Sequence, residues 1–131
     1  MTSAAQSKEQ FGRIFHTEFR SDDSAATAEF FAKAFGWTIQ DTPHPAYKLF
    51  DTPGGFEGHI GPVPEEDGAP SAINYILVEC IETAEQAIIA SGGKLITPRG
   101  EAPGRGFFTG FEAPGGIRLV VWQHTIAQPA G

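Results

Sequence analysis

The sequence predicts an α+β domain built from two tandem copies of one unit, strand–helix–strand–strand–strand. Three observations predict it. Pro53-Gly54-Gly55-Phe56-Glu57-Gly58-His59-Ile60 and Pro114-Gly115-Gly116-Ile117-Arg118-Leu119-Val120-Val121 share a Pro-Gly-Gly turn that leads into a strand-like run. Phe19 to Ile39 and Ile76 to Ile96 both read as strand, helix, glycine, strand, with Gly93 in the place of Gly36. The 16 glycines and 10 prolines suit many strands joined by tight turns. A tandem repeat of this kind makes a pseudo-symmetric fold. It also lets positions be compared within one chain: His16 matches Ile73, and His59 matches Val120. One copy carries two histidines where the other carries two aliphatics, and that asymmetry is the main functional clue.

Residues 1–10 lack periodicity and are expected to form a loose tail. Phe11 to Arg20 alternates, with Ile14, His16 and Glu18 on one parity, and reads as a strand. Ser21-Asp22-Asp23-Ser24 supplies helix-capping chemistry. Ala25 to Phe35 follows as a helix, with Phe30, Phe31, Ala34 and Phe35 as its expected buried stripe and Gly36 as its cap. Trp37 to Gln40, Tyr47 to Asp51 and Phe56 to Gly61 complete module one, residues 11–61. Residues 62–71, rich in Pro, Gly and acid, read as a linker. Module two, residues 72–124, opens with a strand from Ala72 to Cys80. A helix from Glu82 to Ser91 turns Ala84, Ala87 and Ile88 inward. Lys94 to Thr97 is a strand, and Pro98 to Gly106 reads as a long loop in which Arg99 and Arg105 are solvated. Phe107 to Phe111 and Ile117 to Gln123 are the last strands, and residues 125–131 are a polar tail.

The length suits a single domain with a real core. A net charge of −7, without a basic stripe, argues against nucleic acid and anionic membrane as partners. No apolar run is long enough to span a bilayer. The polar N-terminus lacks an apolar signal region, and Cys80 has no second cysteine to pair with, so a cytoplasmic setting is expected.

His16-Thr17-Glu18-Phe19-Arg20-Ser21-Asp22-Asp23, then Ala28-Glu29-Phe30-Phe31 and Phe35-Gly36-Trp37, resemble the vicinal-oxygen-chelate superfamily of glyoxalases, bleomycin-resistance proteins and extradiol dioxygenases. In the second half, Val78-Glu79-Cys80-Ile81, Ala84-Glu85-Gln86-Ala87, Gly92-Gly93 and Ala113-Pro114-Gly115-Gly116 into Leu119-Val120-Val121-Trp122 resemble it as well. The resemblance covers about residues 11–124. It implies a concave mixed β-sheet of two βαβββ modules, a homodimer, and a small organic molecule bound in the concave cleft. It also implies a divalent metal held by His or Glu from the first and fourth strands of each module. Carried onto this chain, those positions are His16, His59, Ile73 and Val120. The first two fit and the last two do not.

Three readings of the histidines stay open. A divalent metal (Zn, Ni, Mn or Fe) is held weakly by His16 and His59, with Glu57 or Glu18 as candidate third ligand, since each shares strand parity with a histidine. A catalytic metal usually needs three protein ligands, so this set is incomplete. Alternatively, both imidazoles are structural, satisfied by backbone or water. In the third reading they act without metal, one accepting a proton and the other holding a ligand oxygen. Glu57, Ile73, Arg118 and Val120 are the candidate ligand-binding residues around them. The expected function is that of a glyoxalase-like protein acting on or binding a small organic molecule. The alternative is a non-enzymatic protein that sequesters an antibiotic, as bleomycin-resistance proteins do.

Overall fold

The computed structural model describes residues 11–125. Its elements run β1 (Ile14–Ser21), α1 (Ser24–Phe35), β2 (Thr38–Asp41), β3 (Lys48–Asp51), β4 (Glu57–Pro62), β5 (Ser71–Leu77), α2 (Ile81–Ala90), β6 (Lys94–Leu95), β7 (Gly100–Ala102), β8 (Gly106–Ala113) and β9 (Ile117–His124). The predicted strand–helix–three-strand order occurs twice, with β7 added in the second copy, and the fold is α+β. The chain divides into two compact units, one of residues 15–74 and one of residues 11–14 with 75–125. The boundary falls within β5. Segment 62–71 therefore belongs to the first unit. The tails expected at residues 1–10 and 126–131 lie outside the described residues.

In the first unit, β1 runs parallel to β4, and β4, β3 and β2 are antiparallel neighbours, giving a small mixed sheet. The turn into α1 is made by Asp23, whose extended backbone (φ −148°) lets its carboxylate accept the Ala26 N–H at 3.0 Å. Gly36 ends the helix in the left-handed region, φ +74°, and donates to the Ala32 carbonyl. Ala28 packs on Phe50 and Ile60, with Phe19, Phe31, Trp37 and Ile39 around them. Trp37 stacks on Phe31 at 4.2 Å and on Phe50 at 4.7 Å. That stack corrects the expected stripe. The buried line of α1 runs through Ser24 and Ala28 to the half-buried Phe31, while Ala34 is exposed and Phe30 and Phe35 are each 58% exposed. Trp37, one residue beyond the cap, fills the space over Phe31 and Phe50.

In the second unit, β8 pairs antiparallel with β9, β6 and β7. Ile81 of α2 packs on Phe111 and Val121. The helix turns Ile81, Ala84, Glu85 and Ile88 inward, and the expected inward Ala87 is exposed. The segment read as an unstructured loop carries β7, and Arg99 is not merely solvated. It donates to both carboxylate oxygens of Glu85, with Nε at 3.1 Å from Oε2. Buried Thr109 donates its hydroxyl to the same oxygen at 2.6 Å. A carboxylate on a buried helix face needs such partners.

The glycines of the two Pro-Gly-Gly turns have closely similar φ angles. Gly54 and Gly55 stand at φ +95° and +91°, Gly115 and Gly116 at +92° and +88°. Each turn delivers a strand whose helix-facing core residue is Ile60 in one unit and Val121 in the other. By strand alternation, His59 and Val120 each stand on the sheet face turned away from their own unit's helix.

Candidate functional site

The histidines meet because of strand register. β1 and β4 align His16 with Glu57, Glu18 with His59, and Arg20 with Gly61. Alternation then sets His16, Glu18 and Arg20 beside Glu57, His59 and Gly61 on one face. Gly58 helps to seat this register from the other face. A Cβ there would lie 2.1 Å from the Thr17 carbonyl oxygen and 2.5 Å from the Phe50 ring, so only glycine lets β4 approach β1 and Phe50 this closely.

His16 Nε2 and His59 Nδ1 are 2.7 Å apart, and the ring centroids are 5.0 Å apart. Burial lowers the His16 pKa from 6.5 to about 4, His59 adds to that, and Glu18 opposes it. Burial lowers His59 as well, with Glu18 pulling it back up and Arg20 pushing it down. Both imidazoles are therefore neutral at neutral pH. Two neutral imidazoles sharing this bond are locked together: both carry their proton on Nε2, or both carry it on Nδ1. The Glu18 carboxylate lies 3.9 Å from His59 Nε2, in electrostatic range though too long for a hydrogen bond. It favours the proton on that nitrogen. The geometry thus assigns both histidines the Nε2–H form, with His16 Nε2 donating to His59 Nδ1.

Behind the pair runs a chain of charge. Arg20 Nε donates to Glu18 Oε2 at 3.1 Å, and the other end of the guanidinium pairs with Asp67. Glu18, Arg20 and Asp67 are 13%, 19% and 21% exposed at the side chain, which keeps these interactions less screened than surface pairs. Sequence reasoning named neither Arg20 nor Asp67 as a site residue. Arg20 shares the parity of His16 and Glu18 and was legible on that ground. Asp67 lies 47 residues from its partner, in a stretch with no periodic signal.

Of the other candidates, Glu57 is exposed at the first position of β4, and Glu18 is the carboxylate that approaches the pair. Ile73 and Val120 are buried, 8% and 7% exposed. Arg118 is 54% exposed at its side chain and lies 3.6 Å from Glu112.

Residues 13–121 match the profile of the Glyoxalase/Bleomycin resistance protein/Dioxygenase superfamily. The chain belongs to this superfamily. Its fold is that of a superfamily member from Vibrio splendidus 12B01, with a TM-score of 0.65 at 15% identity, covering 86% of this chain and 98% of that one. Methylmalonyl-CoA epimerase from Mycobacterium tuberculosis aligns with a TM-score of 0.64 at 12% identity, over 88% of this chain and 89% of that one. The Mn(II)-bound glyoxalase from Novosphingobium aromaticivorans aligns with a TM-score of 0.65 at 14% identity, over 92% of this chain but 43% of the longer relative. At such identities the likeness shows the fold alone. No curated protein matches the chain in sequence.

The glyoxalase from Novosphingobium aromaticivorans is Mn(II)-bound. Among the described residues, no three His, Cys, Asp or Glu side chains converge as a metal-holding group. The facing nitrogens of His16 and His59 are occupied by one another, and Glu18 lies at the far nitrogen of His59. Ile73 and Val120 have no lone pair to give. A three-ligand catalytic site does not fit these residues. No helix among the described residues is long and apolar enough to cross a membrane.

Proposed function

We propose that this chain binds a small organic molecule at the His16–His59 pair, using neutral imidazoles as hydrogen-bonding groups rather than as ligands of a tightly held metal. The 2.7 Å imidazole–imidazole bond carries this reading. A metal bridging the two facing nitrogens has to break that bond and expel its proton, and it gains at most two ligands in return. An organic hydroxyl, amide or carbonyl group needs only a neutral donor or acceptor.

The low basicity of His16 favours sequestration over catalysis. A base with a pKa of about 4 takes up little proton at neutral pH and is a poor match for abstracting one from carbon. The alternative, a glyoxalase-like or related enzyme working through the same pair, predicts chemical turnover of whatever binds. A homodimer remains part of the proposal, on the argument that strand edges of this fold are left to be covered. A cytoplasmic setting fits the single cysteine.

The test combines calorimetry with zinc, nickel and manganese and NMR of the histidine side chains during a screen of small organic compounds. Weak metal binding, together with compounds that shift the His16 and His59 signals and are recovered unchanged, is the expected result. Nanomolar metal affinity abolished by His16→Ala overturns the proposal. Conversion of a bound compound, lost in the same variant, moves the reading from sequestration to catalysis.

A further inference from the structure

Tyr47 is mounted beside the imidazole pair with more care than a surface tyrosine needs. The antiparallel register sets Lys48 opposite Ile60 and Leu49 opposite His59, so Tyr47, one residue earlier, falls opposite Gly61. Gly61 is buried, and a Cβ there would lie 2.6 Å and 2.8 Å from two Tyr47 ring carbons. The ring therefore rests on bare backbone. Its centroid is 6.2 Å from that of His59, the planes tilted by 46°.

The preceding loop fixes it in place. The Thr42 hydroxyl lies 2.7 Å from the His44 carbonyl and 2.9 Å from the Tyr47 carbonyl. Tyr47 N–H donates to the His44 carbonyl at 3.0 Å, and Ala46 N–H donates to His44 Nδ1 at 3.1 Å. The His44 ring meets Tyr47 edge-on at 5.1 Å, and the flanking Pro43 and Pro45 hold φ near one value. After all this, Tyr47 remains 38% exposed, as does Leu49 beside His59. An aromatic face that is already immobile loses little entropy when something lies on it, which is how recognition surfaces use tyrosine.

We propose that Tyr47, seated on Gly61, is the specificity-determining residue of the His16–His59 site. The site takes a small molecule with a flat conjugated ring against Tyr47 and a hydrogen-bonding group at the imidazoles. This inference rests on the ligand-binding reading of the histidine pair.

The test measures Kd for a naphthylmethanol and for the fully saturated alcohol of the same skeleton, read on the full chain from the His16, His59 and Tyr47 NMR signals. Both probes carry an aliphatic primary hydroxyl and differ in the flatness of the ring system. The naphthylmethanol is expected to bind about fivefold more tightly, the scale of one aromatic contact. Tyr47→Ala should bring the ratio close to one, and Tyr47→Phe should keep it. Gly61→Ala, which pushes the ring away without removing it, should act like Tyr47→Ala. If that variant does not fold, Tyr47→Ala decides alone. Equal binding of both probes with shifted imidazole signals, or a ratio unchanged by Tyr47→Ala, overturns the role of Tyr47 and leaves the histidine site standing. A failure of the naphthylmethanol to shift either imidazole overturns both.

Discussion

His59 decides the local chemistry because each of its two ring nitrogens faces a different partner. Nδ1 meets His16 and Nε2 faces Glu18. One carboxylate therefore sets the protonation pattern of two residues. Long-range nitrogen–proton NMR at neutral pH should show both histidines in the Nε2–H form, with a pyridine-like Nδ1 on His16. Glu18→Leu removes the bias and should weaken or reverse that pattern. Finding both rings in the Nδ1–H form in the unaltered protein would show that Glu18 does not control the pair. His16, His59 and Glu18 were legible in the sequence, because strand parity alone aligns side chains two apart. The choice of Glu18 over Glu57 was not legible. It depends on the β1–β4 register, which joins residues about forty apart and leaves no mark in either strand by itself.

At the scale of single elements, the difference between reading and structure was one of helical phase. Apart from β7, which reads as loop in the sequence, element types, caps and turns were local and could be read from Asp23, Gly36 and the Pro-Gly-Gly pairs. The face that each helix buries is set by what it packs on. Trp37 takes the space over Phe31 in α1, and Glu85 in α2 turns inward to meet Arg99 and Thr109. The guanidinium of Arg99 holds the Glu85 carboxyl below its ordinary pKa against the opposing effect of burial, and Thr109 assists. This cluster ties β7 and its loop to α2. Arg99→Ala leaves a carboxylate on a buried helix face with only the Thr109 hydroxyl. It should lower the urea unfolding midpoint. Arg99→Ala combined with Glu85→Leu should recover most of that loss, because no charge is then stranded. A single variant as stable as the parent would mean that the cluster contributes nothing net.

For the whole molecule, the buried histidines make stability depend on pH in a definable window. Folding lowers the His16 pKa from 6.5 to about 4. Between those values the unfolded chain binds a proton that the folded chain refuses. The contribution is fully present above 6.5 and is lost as pH falls toward 4. His59 acts in the same direction. Urea midpoints taken across this range should fall with acidification, and a His16→Gln/His59→Gln double variant should show a flatter profile. Identical profiles would mean that the imidazoles are not held neutral by the fold.

The four turn glycines, Gly54, Gly55, Gly115 and Gly116, have φ between +88° and +95°, and a Cβ added at any of them meets nothing within 4 Å. Space is not what excludes a side chain there; handedness is. L-residues are strained at such angles, whereas the mirror-image residue reaches them naturally. Chemical ligation of d-alanine into either turn should raise the unfolding free energy measured in urea by about 0.4–1 kcal/mol per site, through the narrowed unfolded ensemble. L-alanine at the same position should lower it. These turns select for chirality rather than for size.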